Sequence, residues 1–159
     1  MLRARDVMQA PVSTVEPGLS LAGLDEVLVR EAVSGMPVVE SGKVVGVVSR
    51  ADIVRAFDQA AGAAAATQAY YHDVAGAGLE PGAIARMSAG SVSTRTVRDV
   101  MTSHIVAVSP DDPVREIARA LVERRMHRIL VVEGERLAGI VTTVDLVRAI
   151  ADGRLVPGG

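Results

Sequence analysis

Two aspartates in this chain each follow a hydroxyl by three residues, where an apolar run gives way to helical spacing: Ser49-Arg50-Ala51-Asp52 and Thr142-Thr143-Val144-Asp145. A hydroxyl at a helix start accepts from the free N–H groups of the first turn, and an acid at the third helical position reaches back to them. That is a short variant of the capping box and needs no ligand. The same groups also suit a ribonucleotide. Helix-start N–H groups and a hydroxyl receive phosphate, whereas a carboxylate repels phosphate but accepts from the paired hydroxyls of a ribose. Gly46 and Gly139, three residues before each hydroxyl, let a flat base approach the strand backbone. Taken singly, the motif supports both readings.

The elements that must position these residues occur twice. "GVVSRADI" (46–53) returns as "GIVTTVDL" (139–146), and the offset of 93 residues holds without a gap from residue 5 to 57. "RDVM" (5–8) meets "RDVM" (98–101), "VVE" (38–40) meets "VVE" (131–133), and "VRA" (54–56) meets "VRA" (147–149). The chain is an internal duplication. In each copy a short β-branched run ends at proline, "PVSTV" and "HIVAV", and reads as a strand. Leu21, Leu24 and Leu28, like Val114, Ile117 and Leu121, follow helical spacing. "MPVVESGKVVGVV" and "ILVVEGERLAGIV" read as hairpins, and "SRADIVRAF" and "TTVDLVRAI" as helices behind a hydroxyl N-cap. The order per copy is strand, helix, strand, strand, helix. A three-stranded sheet with one covered face is marginal alone, so two copies packed sheet to sheet are expected.

Composition narrows the function classes. The 159 residues are 49 % hydrophobic but only 2 % aromatic, so the core must be aliphatic. The net charge of −2 sets up no field that draws nucleic acid or anionic lipid. Without cysteine there are no disulfides and no thiolate metal sites. The opening residues lack the apolar core of a signal peptide, and no apolar run approaches the ~18 residues that span a bilayer. A cytoplasmic protein is expected.

Together the glycine, hydrophobic, any, Ser/Thr, any, any, Asp pattern at Gly46–Asp52 and Gly139–Asp145, "MPVV" (36–39) and the Asp-Val-Met lead-ins resemble the CBS-domain family, here as a tandem pair or Bateman module. The resemblance covers everything but the insertion and the tail. It implies an α/β (α+β) fold of two repeated β-α-β-β-α units packed as a pseudo-two-fold pair. The domains are then 1–57, a first CBS domain; 58–97, an Ala/Gly-rich insertion and linker; 98–152, a second CBS domain; and 153–159, a flexible tail. It also implies clefts that bind adenosine-containing ligands: AMP, ADP, ATP, S-adenosylmethionine or a dinucleotide. In the family the aspartate holds the ribose and the Ser/Thr lies near ribose or phosphate. Carried over, one cleft comprises Val47, Ser49 and Asp52 with Val106, His127 and Arg128. The other comprises Ile140, Thr142 and Asp145 with Ser13, Ser34 and Gly35. His127-Arg128 resembles the pair that binds phosphate in the gamma subunit of the AMP-activated protein kinase; a solvated pair at a strand edge is the plain alternative. Ser34 and Gly35 stand at the matching positions of the first copy, so the clefts are expected to be unequal.

No nucleophile, base and orienting group fall together in the sequence, and no P-loop or dinucleotide fingerprint occurs. "YYHD" (70–73) and His104 lack a second cluster that would make a metal site or a catalytic dyad. The expectation is a non-enzymatic regulatory module without a catalytic cofactor or metal, signalling to an unknown effector protein. The alternative is a structural or interaction dimer with empty clefts. The apolar stripes Leu21, Leu24, Leu28 and Val114, Ile117, Leu121 exceed the needs of one intramolecular seam, which predicts a homodimer. The Ala-rich start of the insertion is expected to lengthen the preceding helix, with Tyr70 and Tyr71 as anchors.

Overall fold

A computed structural model of the chain describes residues 1–57, 70–71 and 94–156. The elements among them are α1 (Ala4–Val7), α2 (Leu21–Glu31), β1 (Gly35–Glu40), β2 (Lys43–Ser49), α3 (Arg50–Phe57), α4 (Val97–Val100), β3 (Ala107–Val108), α5 (Val114–Glu123), β4 (Arg128–Glu133), β5 (Arg136–Thr142) and α6 (Thr143–Ala151). The expected helix extension beyond Phe57, the crossing at 72–93 and the last three residues of the tail lie outside the described residues.

Both hairpins form, antiparallel and in the same register, with Gly35 opposite Ser49 and Arg128 opposite Thr142. Each closes through two residues. Ser41 and Gly42 both have positive φ, as a type I′ turn requires, whereas only Gly134 does in the second loop, as in type II′. The strand expected at "PVSTV" is shorter than its composition suggests. It shrinks to one parallel bridge, in which Val15 donates to Pro37 and accepts from Val39. At "HIVAV" only Ala107 and Val108 pair, parallel to Leu130 and Val131. Pro17 and Pro110 follow closely and cannot donate to a ladder, which limits both runs.

The chain forms two compact units, residues 13–105 and residues 1–12 with 106–159. Their limits differ from those of the sequence repeats, because each unit contains the lead-in of the other copy. In the 13–105 unit Val97 N–H donates to Leu19 and Arg98 N–H to Pro17, which docks α4 on the segment leading into α2. In the other unit Ala4 N–H donates to Asp112 and Arg5 N–H to Pro110, the same two bonds displaced by the repeat. The backbone groups of the lead-ins are thereby satisfied away from their own repeats.

The core of the 13–105 unit is Val15, Leu21, Leu24, Leu28, Met36, Val38, Val48, Ile53 and Val97. Ser20 caps α2 by accepting from Gly23 N–H at 3.1 Å. In the other unit Val114, Ile117, Leu121, Ile129, Leu130, Val131, Val141 and Ala149 are buried. The two helical stripes that spacing alone marks as surplus are used up here: all six side chains are 0–2 % exposed. Between α2 and the start of α3, Asp25 and Arg50 face each other at 3.8 Å, yet Asp25 Oδ2 and Arg50 Nε have no hydrogen-bond partner among the described residues. Tyr70 and Tyr71 are buried in the 13–105 unit, edge to face with ring centroids 5.1 Å apart. Tyr70 covers Gly35 so closely that a Cβ there would lie 2.7 Å from its ring.

Candidate functional site

Strand β2 runs directly into α3, and β5 into α6, so each hydroxyl sits at the last strand residue and each aspartate in the first helical turn. Asp52 Oδ2 accepts from Ser49 N–H at 2.7 Å and from Ser49 Oγ at 3.2 Å. Asp145 Oδ2 accepts from Thr142 N–H at 2.8 Å and from Thr142 Oγ1 at 2.7 Å, while Asp145 N–H donates to Thr142 Oγ1. One carboxylate oxygen in each copy therefore holds the helix start.

The second oxygens are engaged differently. Asp52 Oδ1 accepts from Arg55 Nη2, one helical turn on. Asp145 Oδ1 accepts from Gln9 Nε2 at 2.8 Å, with Arg148 Nη1 3.6 Å away. Both aspartates are buried, at 3 % and 4 % exposure. Burial pushes the Asp52 carboxyl above the usual aspartate range, although the Ser49 N–H and the Arg55 guanidinium pull it down.

Acid capping recurs at three other places among the described residues. Asp6 accepts from Arg3 N–H, Asp99 from Thr96 N–H and Asp112 from Ser109 N–H, each at 2.8 Å. Asp6 and Asp99 are exposed and Asp112 is half-buried. Capping alone therefore does not require burial, and Asp52 and Asp145 differ from the other caps in being enclosed.

The glycines act otherwise than the sequence suggests. A Cβ at Gly46 would lie 2.7 Å from the Thr102 carbonyl, and one at Gly139 2.7 Å from Met8 Sδ and 2.8 Å from the Gln9 carbonyl. The space expected to admit a base is filled by the lead-in, whose Thr102 pairs with Val47 and whose Gln9 pairs with Ile140 through two backbone bonds each. Here glycine admits the chain's own backbone.

Within the 13–105 unit the structure gathers Val47, Ser49, Asp52, Ser34 and Gly35: Arg50 N–H donates to the Ser34 carbonyl, and Gly35 pairs with Ser49. Ser13 is exposed, donates to Glu31 Oε2 at 3.2 Å, and lines an open hollow of about 610 Å³ with Glu16, Arg30 and Met36. Within the other unit Thr142 pairs with Arg128, and Thr143 N–H donates to the His127 carbonyl. Ile140, Asp145 and Val106 belong to the same unit, with His127 exposed and Val106 and Arg128 half-buried. Among the described residues no group of three His, Cys, Asp or Glu side chains could hold a metal.

Sequence reasoning missed Arg55, Arg148 and Gln9. The arginines are signalled by the repeated "VRA", which puts a cation three residues after each aspartate on one helix face. Gln9 has no such signal, since the second copy carries Thr102 at that position.

The CBS domain profile matches residues 4–59 and 97–152. The chain is 28 % identical over 141 residues to the chloroplastic CBS domain-containing protein CBSX1 of Arabidopsis thaliana, covering 87 % of this chain and 56 % of the relative. It is 27 % identical over 150 residues to the A-adding tRNA nucleotidyltransferase of Geobacter sulfurreducens, covering 94 % of this chain but 14 % of that enzyme. Its match to a zinc metalloprotease of Methanocaldococcus jannaschii covers 32 % of the relative. These curated relatives are thus far longer than the part this chain spans. Among solved structures, CBSX2 in complex with AMP aligns with a TM-score of 0.69 at 24 % identity, over 98 % of this chain and 100 % of that one. A CBS domain pair in complex with 5′-methylthioadenosine and S-adenosyl-L-methionine aligns with a TM-score of 0.65 at 20 % identity, over 96 % and 98 %. These likenesses establish the fold. With both repeats matched by the profile, the chain belongs to the CBS-domain family, as a tandem pair of CBS domains.

Proposed function

We propose that the chain is a non-enzymatic, cytoplasmic regulatory module that binds adenosine-containing nucleotides and passes their occupancy to an effector protein. The observation that carries this is the burial of Asp52 and Asp145, unlike the exposed caps Asp6 and Asp99. Each buried carboxylate has one oxygen fixed on the helix start and the other on a side chain that a ribose diol can replace. The AMP, 5′-methylthioadenosine and S-adenosylmethionine in the two structural relatives support the ligand class.

The proposed clefts are the two read from the family pattern: Val47, Ser49 and Asp52 with Val106, His127 and Arg128, and Ile140, Thr142 and Asp145 with Ser13, Ser34 and Gly35. Arginine and protonated imidazole make stronger, charge-assisted bonds to phosphate than serine and glycine do. The Asp52 cleft then holds AMP, ADP or ATP about tenfold more tightly than the Asp145 cleft. Occupancy shifts the population of module conformations by no more than its differential affinity.

The structural reading, a dimer module with empty clefts, draws on the fact that both aspartates already have partners. Calorimetry with AMP, ATP and S-adenosylmethionine separates the two. Binding lost mainly in Asp52→Ala supports the nucleotide reading with unequal clefts. Equal losses, or a larger loss in Asp145→Ala, overturn the inequality. No heat with any of the three, and no small molecule released on denaturation, favours the structural module.

A further inference from the structure

We propose that Gln9 is a specificity-determining residue of the second repeat's site, a side-chain latch that occupies Asp145 and that a ribose must displace. The proposal rests on the reading of Asp145 as a ribose acceptor. Asp145 Oδ2 already accepts two bonds, from Thr142 N–H and Thr142 Oγ1, so its lone pairs are committed. Only Oδ1 remains for a ligand, and Gln9 Nε2 donates to it at 2.8 Å. With the latch in place, and Arg148 Nη1 3.6 Å from the same oxygen, no more than one lone pair is left, whereas a ribose diol offers two donors. The carboxylate therefore cannot take both hydroxyls until the amide leaves.

The placement of Gln9 is built into the fold. Its backbone is held on β5 by two bonds, Gln9 N–H to Ile140 at 2.9 Å and Ile140 N–H to Gln9 at 3.1 Å. Gly139 admits that close approach, since any Cβ there would strike Met8 and the Gln9 carbonyl. Gln9 is an exposed residue and is absent from the buried core, so its side chain can leave Asp145 without opening that core. The first repeat is built differently. Thr102 makes the same two backbone bonds to Val47, but Oδ1 of Asp52 is taken by Arg55, from within its own helix. The two copies thus differ at the oxygen that a ribose needs, independently of any phosphate contact.

A site that is competent only when the latch is open has its affinity reduced by the open fraction. If the amide is bound about nine-tenths of the time, removing it tightens ribose binding by about tenfold. A ligand with a single ribose hydroxyl gains less, because it uses the lone pair the latch leaves.

The test uses the full chain in an Asp52→Ala background, which leaves the Asp145 site, with AMP and 2′-deoxy-AMP as probes. Gln9→Ala is expected to tighten AMP by about tenfold and 2′-deoxy-AMP by less than about threefold. In the nitrogen–proton spectrum of the unliganded chain, the Gln9 side-chain amide should shift on Asp145→Asn and on saturation with AMP. Unchanged or weaker AMP binding in Gln9→Ala, with the Asp145 site still binding, overturns the latch alone. Absence of AMP binding in both the Gln9→Ala chain and its parent overturns the ribose reading of Asp145 itself, and the latch with it. Gln9→Asn, which keeps an amide on a shorter stem, should behave as Gln9→Ala. Parental affinity there would mean that reach is not what matters, and would also overturn the latch.

Discussion

Met8 fills the space where a side chain on residue 139 would stand: a Cβ at Gly139 would come 2.7 Å from Met8 Sδ. Gly46 meets Met101 and Thr102 in the same way in the other unit. The contact explains why glycine and the "RDVM" lead-in recur together at a fixed offset. Gly139→Ala and Gly46→Ala are each expected to lower stability by about 1–3 kcal/mol, since both the sulfur and a backbone carbonyl must move. Gly18, where a Cβ would meet nothing within 4 Å, is the control and should change little on Gly18→Ala. Urea titration of the three variants checks this, and equal stabilities would contradict it.

The Asp25–Arg50 pair belongs to one copy only, since the second carries Ala118 and Thr143 at the matching positions. The duplicated fold therefore does not need it. Arg50→Ala leaves a carboxylate 1 % exposed without its cation and is expected to cost about 3 kcal/mol. Asp25→Ala with Arg50→Thr, which copies the second repeat, should recover most of that loss. A double variant as unstable as Arg50→Ala would show that the pair contributes more than mutual compensation.

Burial raises the Asp52 pKa above 3.8, against the pull of the Ser49 N–H and Arg55. The folded state then holds that proton more tightly than the unfolded chain. Its contribution to stability is full below the unfolded value and is lost as pH rises through the raised one. Asp99 is the reverse. The Thr96 N–H and hydroxyl hold it below 3.8, so its contribution is present above the unfolded value and is lost as pH falls through the folded one. Carboxyl-carbon titration by NMR should place Asp52 above and Asp99 below the ordinary aspartate, and Arg55→Ala should move Asp52 higher still. An Asp52 midpoint at or below 3.8 would be inconsistent with burial as the leading cause.

If the module is a homodimer, the residues to carry it are not those of the buried helical stripes. Val144, Val147 and Ile150 follow one another at three-residue spacing on α6 with 60, 63 and 49 % exposure, and Val122 on α5 is 78 % exposed. These exposed side chains are the candidates to form such a face. Val147→Asp is expected to convert a dimeric mass into a monomeric one in light scattering at tens of micromolar, with the Asp145 site still folded. A wild-type monomer, or a dimer untouched by Val144→Asp and Val147→Asp together, would exclude that face.

Much of this architecture is legible in the sequence. Leu21, Leu24 and Leu28, the hydroxyl caps and the two-residue hairpin turns are local signals, and each specifies its element. The first strands are less so, because "PVSTV" and "HIVAV" have strand composition, while the prolines that shorten their pairing act only once neighbours are placed. Gly46 misleads for the same reason: its partners, Met101 and Thr102, lie in the other repeat's lead-in, and glycine alone does not say what approaches it. The Ser-x-x-Asp and Thr-x-x-Asp pairs emerge from spacing. Arg55 on the second oxygen of Asp52 follows from the "VRA" spacing, whereas Gln9 on that of Asp145 does not, since it is 136 residues away and has no twin in the other copy.

The lead-ins dock in the unit that is not their own repeat, and that fixes an order of events during synthesis. Residues 1–12 are translated well before residue 106, where the body they complete begins again. They must wait through the translation of everything between. The 13–105 unit closes as soon as α4 and Thr102 emerge, while its sister waits for α6. Nascent chains released in the middle of the second repeat would hold one finished body and an orphaned strip. That strip, Met1–Val12, would carry unpaired backbone groups and the exposed flanks of Ala4 and Val7, and would be the segment for a chaperone or protease to find.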